Sequence, residues 1–286
     1  MTNISPNLLK NLRKTMATRE KQASTAPGKE SPKEEKAPVI VHEATPPEAH
    51  DTAPHTDHDA HDDHVDPNAI VTRDIFDDHG KKIQTATFKG GNLHGKYYVF
   101  HPDGSVRQEL TYHEGALQGP MLVYDPEGRI ETKMSYVNGQ LHGPCESYQN
   151  GKLTMKTMYQ DGAQTGLAYY YSRYGALMTV AEYHNNQLHG VMKNYTDDGK
   201  VIKESTYVDG QLHGPQKVFY PTGELLQETA YVKGDPVGQM KRYYQDGHVL
   251  QIDSYDKGKL INREKFDTKG NKTGEITPHD PALDIR

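Results

Sequence analysis

The residues whose types and spacing come closest to a metal site are four histidines at every third position: His55, His58, His61 and His64. Carboxylates stand between them at Asp57, Asp59, Asp62 and Asp63. Imidazole and carboxylate groups are ligands that zinc and nickel accept. No cysteine accompanies them, and no predicted helix or strand holds them in place. The pattern favours a hydrophilic spacer whose histidines titrate near neutrality. Metal buffering is the weaker alternative.

A second set of histidines directly precedes recurring glycines: His94, His142, His189 and His213. If copied units stack, these side chains lie along one edge, where a row of imidazoles could bind metal or sense pH. The equivalent positions elsewhere hold Gln118, Thr165 and Val237. Because the row is interrupted, we favour a structural role for histidine at the mouth of a turn.

Nucleophilic chemistry has one candidate, the single cysteine Cys145. It follows Pro144 in a predicted strand and has no special basic neighbour, so a reactive thiolate is not expected. One cysteine excludes an intramolecular disulfide and is compatible with a reducing compartment. The sequence has no nucleophile elbow, phosphate-binding loop, HExxH or paired-cysteine motif. We therefore predict no catalytic, cofactor-binding or metal-binding residues, and a protein that is not an enzyme.

A fixed period organises most of the chain and sets where such residues can lie. The landmark glycines, most of which follow a Leu-His step, are Gly95, Gly119, Gly143, Gly166, Gly190, Gly214 and Gly238. Neighbouring landmarks are 24, 24, 23, 24, 24 and 24 residues apart. This spacing predicts one small unit copied in tandem and stacked.

Each unit has the pattern of a β-hairpin. In the unit that starts at Gly119, Ile130, Thr132, Met134 and Tyr136 alternate with polar residues, which predicts a strand with these four side chains on one covered face. Asp-Pro-Glu-Gly at 125–128 and Asn-Gly at 138–139 supply the fixed and positive φ values that tight turns need. The one-residue deletion in the next unit falls in its turn, at 148–151, and so preserves strand alternation.

The register repeats along the array. An aromatic residue lies five positions after each landmark glycine, at Phe100, Tyr124, Tyr148, Tyr171, Tyr195, Phe219 and Tyr243. A second tyrosine ends each return strand, at Tyr112, Tyr136, Tyr159, Tyr183, Tyr207, Tyr231 and Tyr255. Partial units at both ends, marked by Phe76 and Phe266, are expected to cap the array.

The spacing of the glycines and tyrosines, with segments such as 220–225 (YPTGEL) and 244–249 (YQDGHV), resembles MORN repeats, and more closely the MORN-variant repeats of the bacterial YwqK family. The resemblance implies an all-β fold: an elongated, single-layer antiparallel sheet of tandem β-hairpins of about 24 residues. It also implies either an antitoxin-like protein that neutralises a toxin or effector, or a scaffold. The absence of tryptophan departs from typical MORN sequences.

Four regions follow along the chain. The pattern of residues 1–21 predicts a short, basic amphipathic helix. Residues 22–68 contain eleven carboxylates and three lysines, and this composition predicts a disordered acidic and histidine-rich linker. Residues 69–275 form the predicted repeat array, and residues 276–286 a C-terminal tail.

The amino-acid composition limits the classes of function that this chain can have. Hydrophobic residues make up 34% of the 286, tryptophan is absent and tyrosine occurs 19 times, which suits a thin structure with tyrosine-rich packing. The repeat region is nearly neutral in charge, which argues against nucleic-acid binding. No apolar stretch has the length of a membrane span. We expect a cytoplasmic, non-enzymatic scaffold that binds a protein partner. The alternative is a peripheral membrane scaffold that docks through the basic helix at 1–21.

Overall fold

The computed structural model describes Asp66 and residues 68–277, which form 22 antiparallel strands in one open sheet. This confirms the all-β fold of tandem hairpins. The predicted helix at 1–21, the histidines at 55–64 and residues 278–286 of the predicted tail lie outside the described residues.

The strands are β1 Ile70–Phe76, β2 Lys82–Lys89, β3 Asn92–Phe100, β4 Val106–His113, β5 Ala116–Leu117, β6 Gly119–Tyr124, β7 Ile130–Val137, β8 Gln140–Leu141, β9 Gly143–Gln149, β10 Lys152–Gln160, β11 Ala163–Gln164, β12 Gly166–Tyr171, β13 Leu177–His184, β14 Gln187–Leu188, β15 Gly190–Tyr195, β16 Val201–Val208, β17 Gln211–Phe219, β18 Leu225–Val232, β19 Asp235–Tyr243, β20 Val249–Asp256, β21 Lys259–Phe266 and β22 Lys272–Ile276.

The sheet is a meander in which each strand pairs with the strand that follows it. A short strand and its successor, such as β5 and β6, both pair with the same preceding strand β4, so they act as two parts of one interrupted strand. Within the described residues, β1 pairs only with β2 and β22 only with β21. The two ends of the sheet are therefore separate edges.

Two kinds of turn connect the strands, and both have the predicted chemistry. In the first turn, Gly128 N donates to Asp125 O at 2.9 Å, and Gly128 has a φ of 76°. This is a three-residue loop that ends on a left-handed glycine. In the second turn, Asn138 and Gly139 have φ values of 50° and 79°. Two consecutive positive φ values define the type I′ turn that matches the twist of paired strands.

The 23-residue unit loses its residue in the first turn, as predicted. Asn150 and Gly151 have φ values of 51° and 74°, and Gln149 pairs directly with Lys152. A two-residue type I′ turn thus replaces the three-residue loop, and the strands on either side keep their pairing.

Each landmark glycine forms a bulge between the two parts of an outgoing strand. Gly119 has a φ of 91°, and the preceding Gln118 N donates to Thr111 O at 2.8 Å. In β17, the pairing with β16 shifts by two residues at the equivalent bulge, which contains Gly214. Because a bulge needs one residue in an unusual backbone conformation, glycine recurs here for the backbone.

A second bulge in the return strand corrects one prediction. Val123 pairs with Thr132, but Tyr124 pairs with Ile130, so Glu131 is the extra residue. Paired residues share a face, and Tyr124 lies on the face opposite to Val123. Ile130 therefore lies with Tyr124 and not with Met134 as the alternation predicted. Alternation alone does not reveal a bulge, because the bulge changes the face of every residue beyond it.

We call the face that carries Met134 and Tyr136 the inner face, and the opposite one the outer face. Buried residues of the central row of the inner face are Ala86, Tyr97, Leu110, Met121, Met134, Cys145, Thr157, Ala168, Ala181, Ser205, Gln216, Thr229, Met240 and Asp253. The return-strand tyrosines flank this row on the same face, and small residues such as Ala181 pack beneath larger ones such as Tyr170 and Tyr183. The inner face is therefore the core.

Successive repeats are also joined at their second turns. Backbone N–H groups of second-turn residues donate to carbonyl groups that follow the preceding second turn, in the pairs Gly115–Leu93, Gly139–Leu117, Gly162–Leu141, Asn186–Gln164, Gly210–Leu188 and Gly234–Leu212. The donor–acceptor distances are 2.8–3.0 Å. These bonds hold each turn against its neighbour and satisfy backbone groups that a hairpin end leaves unpaired.

The landmark glycine can be tested by adding one methyl group. Gly214→Ala places a Cβ on a residue with a φ of 109°, at 3.3 Å from Thr206 Cβ. We expect a loss of about 1–2 kcal/mol in the free energy of unfolding, measured by urea denaturation. Gly274→Ala is the matched control, because Gly274 has no positive φ and a Cβ there meets no atom within 4 Å. Equal stability of both variants would contradict this role.

The tyrosine core predicts instability in alkali. Burial raises the pKa of Tyr136 to about 12 and that of Tyr97 and Tyr159 also to about 12. The folded protein thus holds these protons more tightly than the unfolded chain, so stability is present below about pH 10 and is lost as the pH rises towards 12. Between pH 8 and pH 11, the free energy of unfolding of Tyr136→Phe should fall by about 1 kcal/mol less than that of the parent. Tyr174→Phe is the control, because it removes a hydroxyl group at an exposed site. A pH profile of Tyr136→Phe identical to that of the parent would refute the assignment.

Candidate functional site

The outer face carries three parallel rows of side chains across the strands. The row nearest the first turns pairs aromatic with aliphatic residues: Phe100–Val106, Tyr124–Ile130, Tyr148–Leu153, Tyr171–Leu177, Tyr195–Val201, Phe219–Leu225 and Tyr243–Val249. Such cross-strand pairs stabilise a sheet. The aromatic residues five positions after each landmark therefore support this face and are only partly exposed.

The middle row of the outer face alternates in charge between Lys133 and Lys241, with one break. Successive pairings give the order Lys133, Glu146, Lys156, Tyr169, Val180, Lys193, Glu204, Lys217, Glu228 and Lys241. Lys156 Nζ lies 3.1 Å from Glu146 Oε1, and Lys193 Nζ lies 2.9 Å from Glu204 Oε1. Opposite charges on neighbouring strands fix the strand register more than they add stability, because exposed ion pairs are weak.

Tyrosine hydroxyls join this row of charges. Tyr148 Oη donates to Glu146 Oε2 at 2.7 Å. This hydrogen bond, followed by Lys156, lowers the pKa of Glu146. Burial and then the same carboxylate raise the pKa of Tyr148 to about 12. The glutamate is therefore held charged by two donors and is committed to the sheet.

The alternation of charge is interrupted in the repeat that begins at Gly166. There the middle row holds Tyr169 opposite Val180, and the third row of the outer face adds Met158, Leu167 and Val191, with the exposed Glu182 opposite Leu167. We call the five uncharged residues the outer patch. Met158, Leu167 and Val191 are 37%, 43% and 41% exposed. The patch lies between Lys156 and Lys193, whose ion pairs form its charged border.

An exposed aromatic residue belongs to the same repeat. Tyr174, in its first turn, is 70% exposed, and Arg173 Cζ lies 4.8 Å from the centre of the tyrosine ring. The equivalent turn positions in neighbouring repeats hold Glu127, Asp198 and Asp246. An aromatic ring with a stacked guanidinium is typical of residues that anchor protein interfaces.

The histidines that precede the landmark glycines contact the second turn of their own repeat. His142 Nδ1 lies 3.3 Å from Asp161 Oδ1, and His189 Nδ1 lies 3.4 Å from Asp209 Oδ1. Gln118 occupies the same place, where its Oε1 accepts from Asn138 N at 3.0 Å. His94 Nδ1 likewise accepts from Glu114 N at 3.5 Å, and His213 holds the equivalent sequence position. These contacts therefore link the residue before the landmark glycine to the second turn of the same repeat.

Metal ligation has no support within residues 68–277, where no three His, Cys, Asp or Glu side chains are placed to share an ion. Cys145 is buried in the inner face, and burial raises the pKa of its thiol to about 11. A thiol with so high a pKa is a poor nucleophile at neutral pH.

The outer patch escaped the sequence analysis, which identified the repeat but did not compare the same position across repeats. The signal was present: Tyr169 and Val180 stand where most other units place lysine or glutamate. Recognising it requires the cross-strand pairing, because these two residues are eleven positions apart in sequence.

Comparison with known proteins supports the repeat assignment. The model of the MORN repeat variant family matches residues 93–114, 188–209, 212–233 and 236–257. Four of the five outer-patch residues, from Met158 to Val180, lie between these segments. A comparison with curated proteins finds no match. No helix in the described part of the chain is long and apolar enough to cross a membrane.

Similar solved structures include the crystal structure of TcdB2-TccC3-Cdc42, at 13% identity and a TM-score of 0.20, and the Photorhabdus luminescens Tc holotoxin pore with a TccC3 mutation, at 13% identity and a TM-score of 0.16. Both alignments cover 72% of this chain and only 13% of the other chain. Nothing about the function of this chain follows from them. Four repeats of the hairpin array are therefore similar to the MORN repeat variant family.

Proposed function

We propose that this chain is a non-enzymatic, cytoplasmic repeat scaffold that binds a partner protein through the outer patch. The observation that carries the proposal is the group of exposed apolar side chains at Met158, Leu167 and Val191, beside the break in the charged middle row at Tyr169 and Val180. Apolar side chains clustered in water are unfavourable unless a partner covers them.

The surroundings of the patch favour a protein as its partner. Two tyrosines contribute, Tyr169 on the sheet and Tyr174 at the turn, and tyrosine is enriched where proteins meet. The border of Lys156 and Lys193 is neutralised by Glu146 and Glu204. An apolar centre within a polar border is the usual arrangement of a protein interface.

The repeats also explain why the remaining outer face is a weak candidate. Alternating lysine and glutamate side chains across neighbouring strands satisfy one another, so a partner gains little by displacing them. At Tyr169 and Val180 the middle row lacks these charge pairs, so a partner can cover this part of the outer face without displacing them.

The resemblance to YwqK-family repeats suggests the finer proposal that the partner is a toxin or secreted effector, which this chain neutralises by covering a surface needed for its activity. A protein encoded next to this chain is the first candidate for such a partner.

A charge placed in the patch should abolish binding. The full-length chain, purified gently with the adjacent protein co-expressed, should recover a stoichiometric partner. Leu167→Glu should weaken its binding by at least about tenfold, because a carboxylate must then be buried without a counter-ion. Val232→Glu is the matched control, since Val232 is 44% exposed on the same face in another repeat. Isothermal titration should show parent-like affinity for this control.

Two results would overturn this proposal: no partner at all, or equal affinity of Leu167→Glu and the parent. The neutralisation proposal has its own readout. Expression of the partner alone should arrest growth, the parent chain should restore it, and Leu167→Glu should not. If the partner binds the patch but never impairs growth, the scaffold proposal stands and the antitoxin role is excluded.

A further inference from the structure

The inner face changes character along the array. In the first repeats its core is apolar, with residues such as Met121 and Met134, whereas the last repeats place polar side chains there. One row of the inner face in this polar part runs through successive strand pairings as Lys203, Val218, Gln227, Arg242, Gln251 and Lys265. We call Lys203, Arg242 and Lys265 the inner basic row.

The three cations lack carboxylate partners within the described residues. Arg242 Nε donates to the neutral Gln227 Oε1 at 3.2 Å. Lys203 is half-buried, and that burial lowers the pKa of its ammonium group. Lys265 is exposed on the same face. A half-buried ammonium without a counter-ion is costly, so the row is poised for an anion.

Nearby carboxylates are already engaged. Asp253 is fully buried, and Arg263 binds it through both oxygens, with Nε at 2.7 Å and Nη2 at 2.9 Å. Asp267 accepts from the backbone of Lys269 and Asn271 in the adjacent turn. Neither carboxylate can neutralise the row without giving up these bonds.

The spacing of the row matches an extended polypeptide. Lys203 lies on β16, Arg242 on β19 and Lys265 on β21, which are three and two strands apart. Neighbouring strands are about 4.8 Å apart, so the cations are about 14 Å and 10 Å apart along the sheet. An extended chain rises about 3.3 Å per residue and directs every second side chain to the same side, so side chains on that side are about 6.6 Å apart and come within reach of all three long cationic side chains.

We propose that the inner basic row binds an extended acidic segment of a partner protein, with carboxylates at alternate positions of the segment paired to Lys203, Arg242 and Lys265. The segment crosses the strands at a right angle and lies on the inner face, so the site is separate from the outer patch and does not depend on it. The lysines of the middle row on the outer face cannot bind such a segment in this way, because each faces a glutamate on a neighbouring strand.

The test measures binding of a fluorescein-labelled peptide of about 16 residues, with glutamate at every second position, to the full-length chain by fluorescence anisotropy. The triple variant Lys203→Gln, Arg242→Gln and Lys265→Gln should weaken binding by at least about tenfold. The matched control is Lys133→Gln, Lys217→Gln and Lys241→Gln, which removes the same charge from the outer face and should bind within about twofold of the parent. Circular dichroism and thermal unfolding establish that both variants fold.

Each outcome decides the proposal. Selective loss in the inner variant, with no binding of the glutamine version of the peptide, supports it. Equal loss in both triple variants shows general charge attraction and overturns it, as does absence of peptide binding at physiological salt. Tighter binding of an oligothymidine, lost in the inner variant, would assign the row to nucleic acid instead. Leu167→Glu should leave peptide binding unchanged, so failure here and failure at the outer patch are distinguishable.

Discussion

The structure depends on backbone positions with positive φ, which recur at three places, and about four residues, in each repeat. A landmark glycine forms the bulge of the outgoing strand, a glycine closes the first turn, and a two-residue type I′ turn closes the second. An L-residue with a side chain adopts such conformations only at a cost. The period of about 24 residues is therefore a period of backbone geometry, and the side chains between the glycines are free to vary. This freedom is what allows one repeat to differ from its neighbours on a single face.

The two faces of the sheet have separate physical roles. Strand alternation sends every second side chain to the inner face, where methionine, tyrosine and small residues are buried. The outer face is stabilised by aromatic–aliphatic pairs and alternating charges, both of which act between neighbouring strands. A face held together in this way can lose its charges locally without loss of the fold. Tyr169 and Val180 replace a lysine–glutamate pair, and the exposed apolar surface of the outer patch is the consequence. The inner basic row arises by the same logic on the opposite face, where Lys203 and Arg242 stand at positions that other repeats fill with uncharged residues such as Gln108 and Val123.

Much of the fold could be predicted from the sequence because its determinants are local. The hairpins follow from alternation, the turns from Asn138-Gly139 and its equivalents, and the position of the deletion at 148–151 from the need to preserve alternation. Ile130 was assigned to the wrong face because a bulge leaves no mark on the alternation of residue types. The outer patch and the inner basic row could not be predicted by reading along the chain. Their members lie on different strands and become neighbours only through the register, as with Lys203 and Arg242. The helix at residues 1–21 and the role of the histidines at 55–64 are predictions from the sequence alone.

The central claim is that the partner binds the outer face at the repeat that begins at Gly166. Tyr169 and Tyr170 offer the most direct test, because they are consecutive residues that point to opposite faces: Tyr169 pairs with Val180 in the outer patch, and Tyr170 lies over the buried core beside Tyr183. A photo-crosslinking benzoylphenylalanine at each position in turn, followed by mass spectrometry of the adducts, reports which face the partner covers. We predict a covalent adduct with the partner from position 169 and none from position 170. Adducts from position 170 alone, or from both positions equally, would contradict the assignment of the binding face.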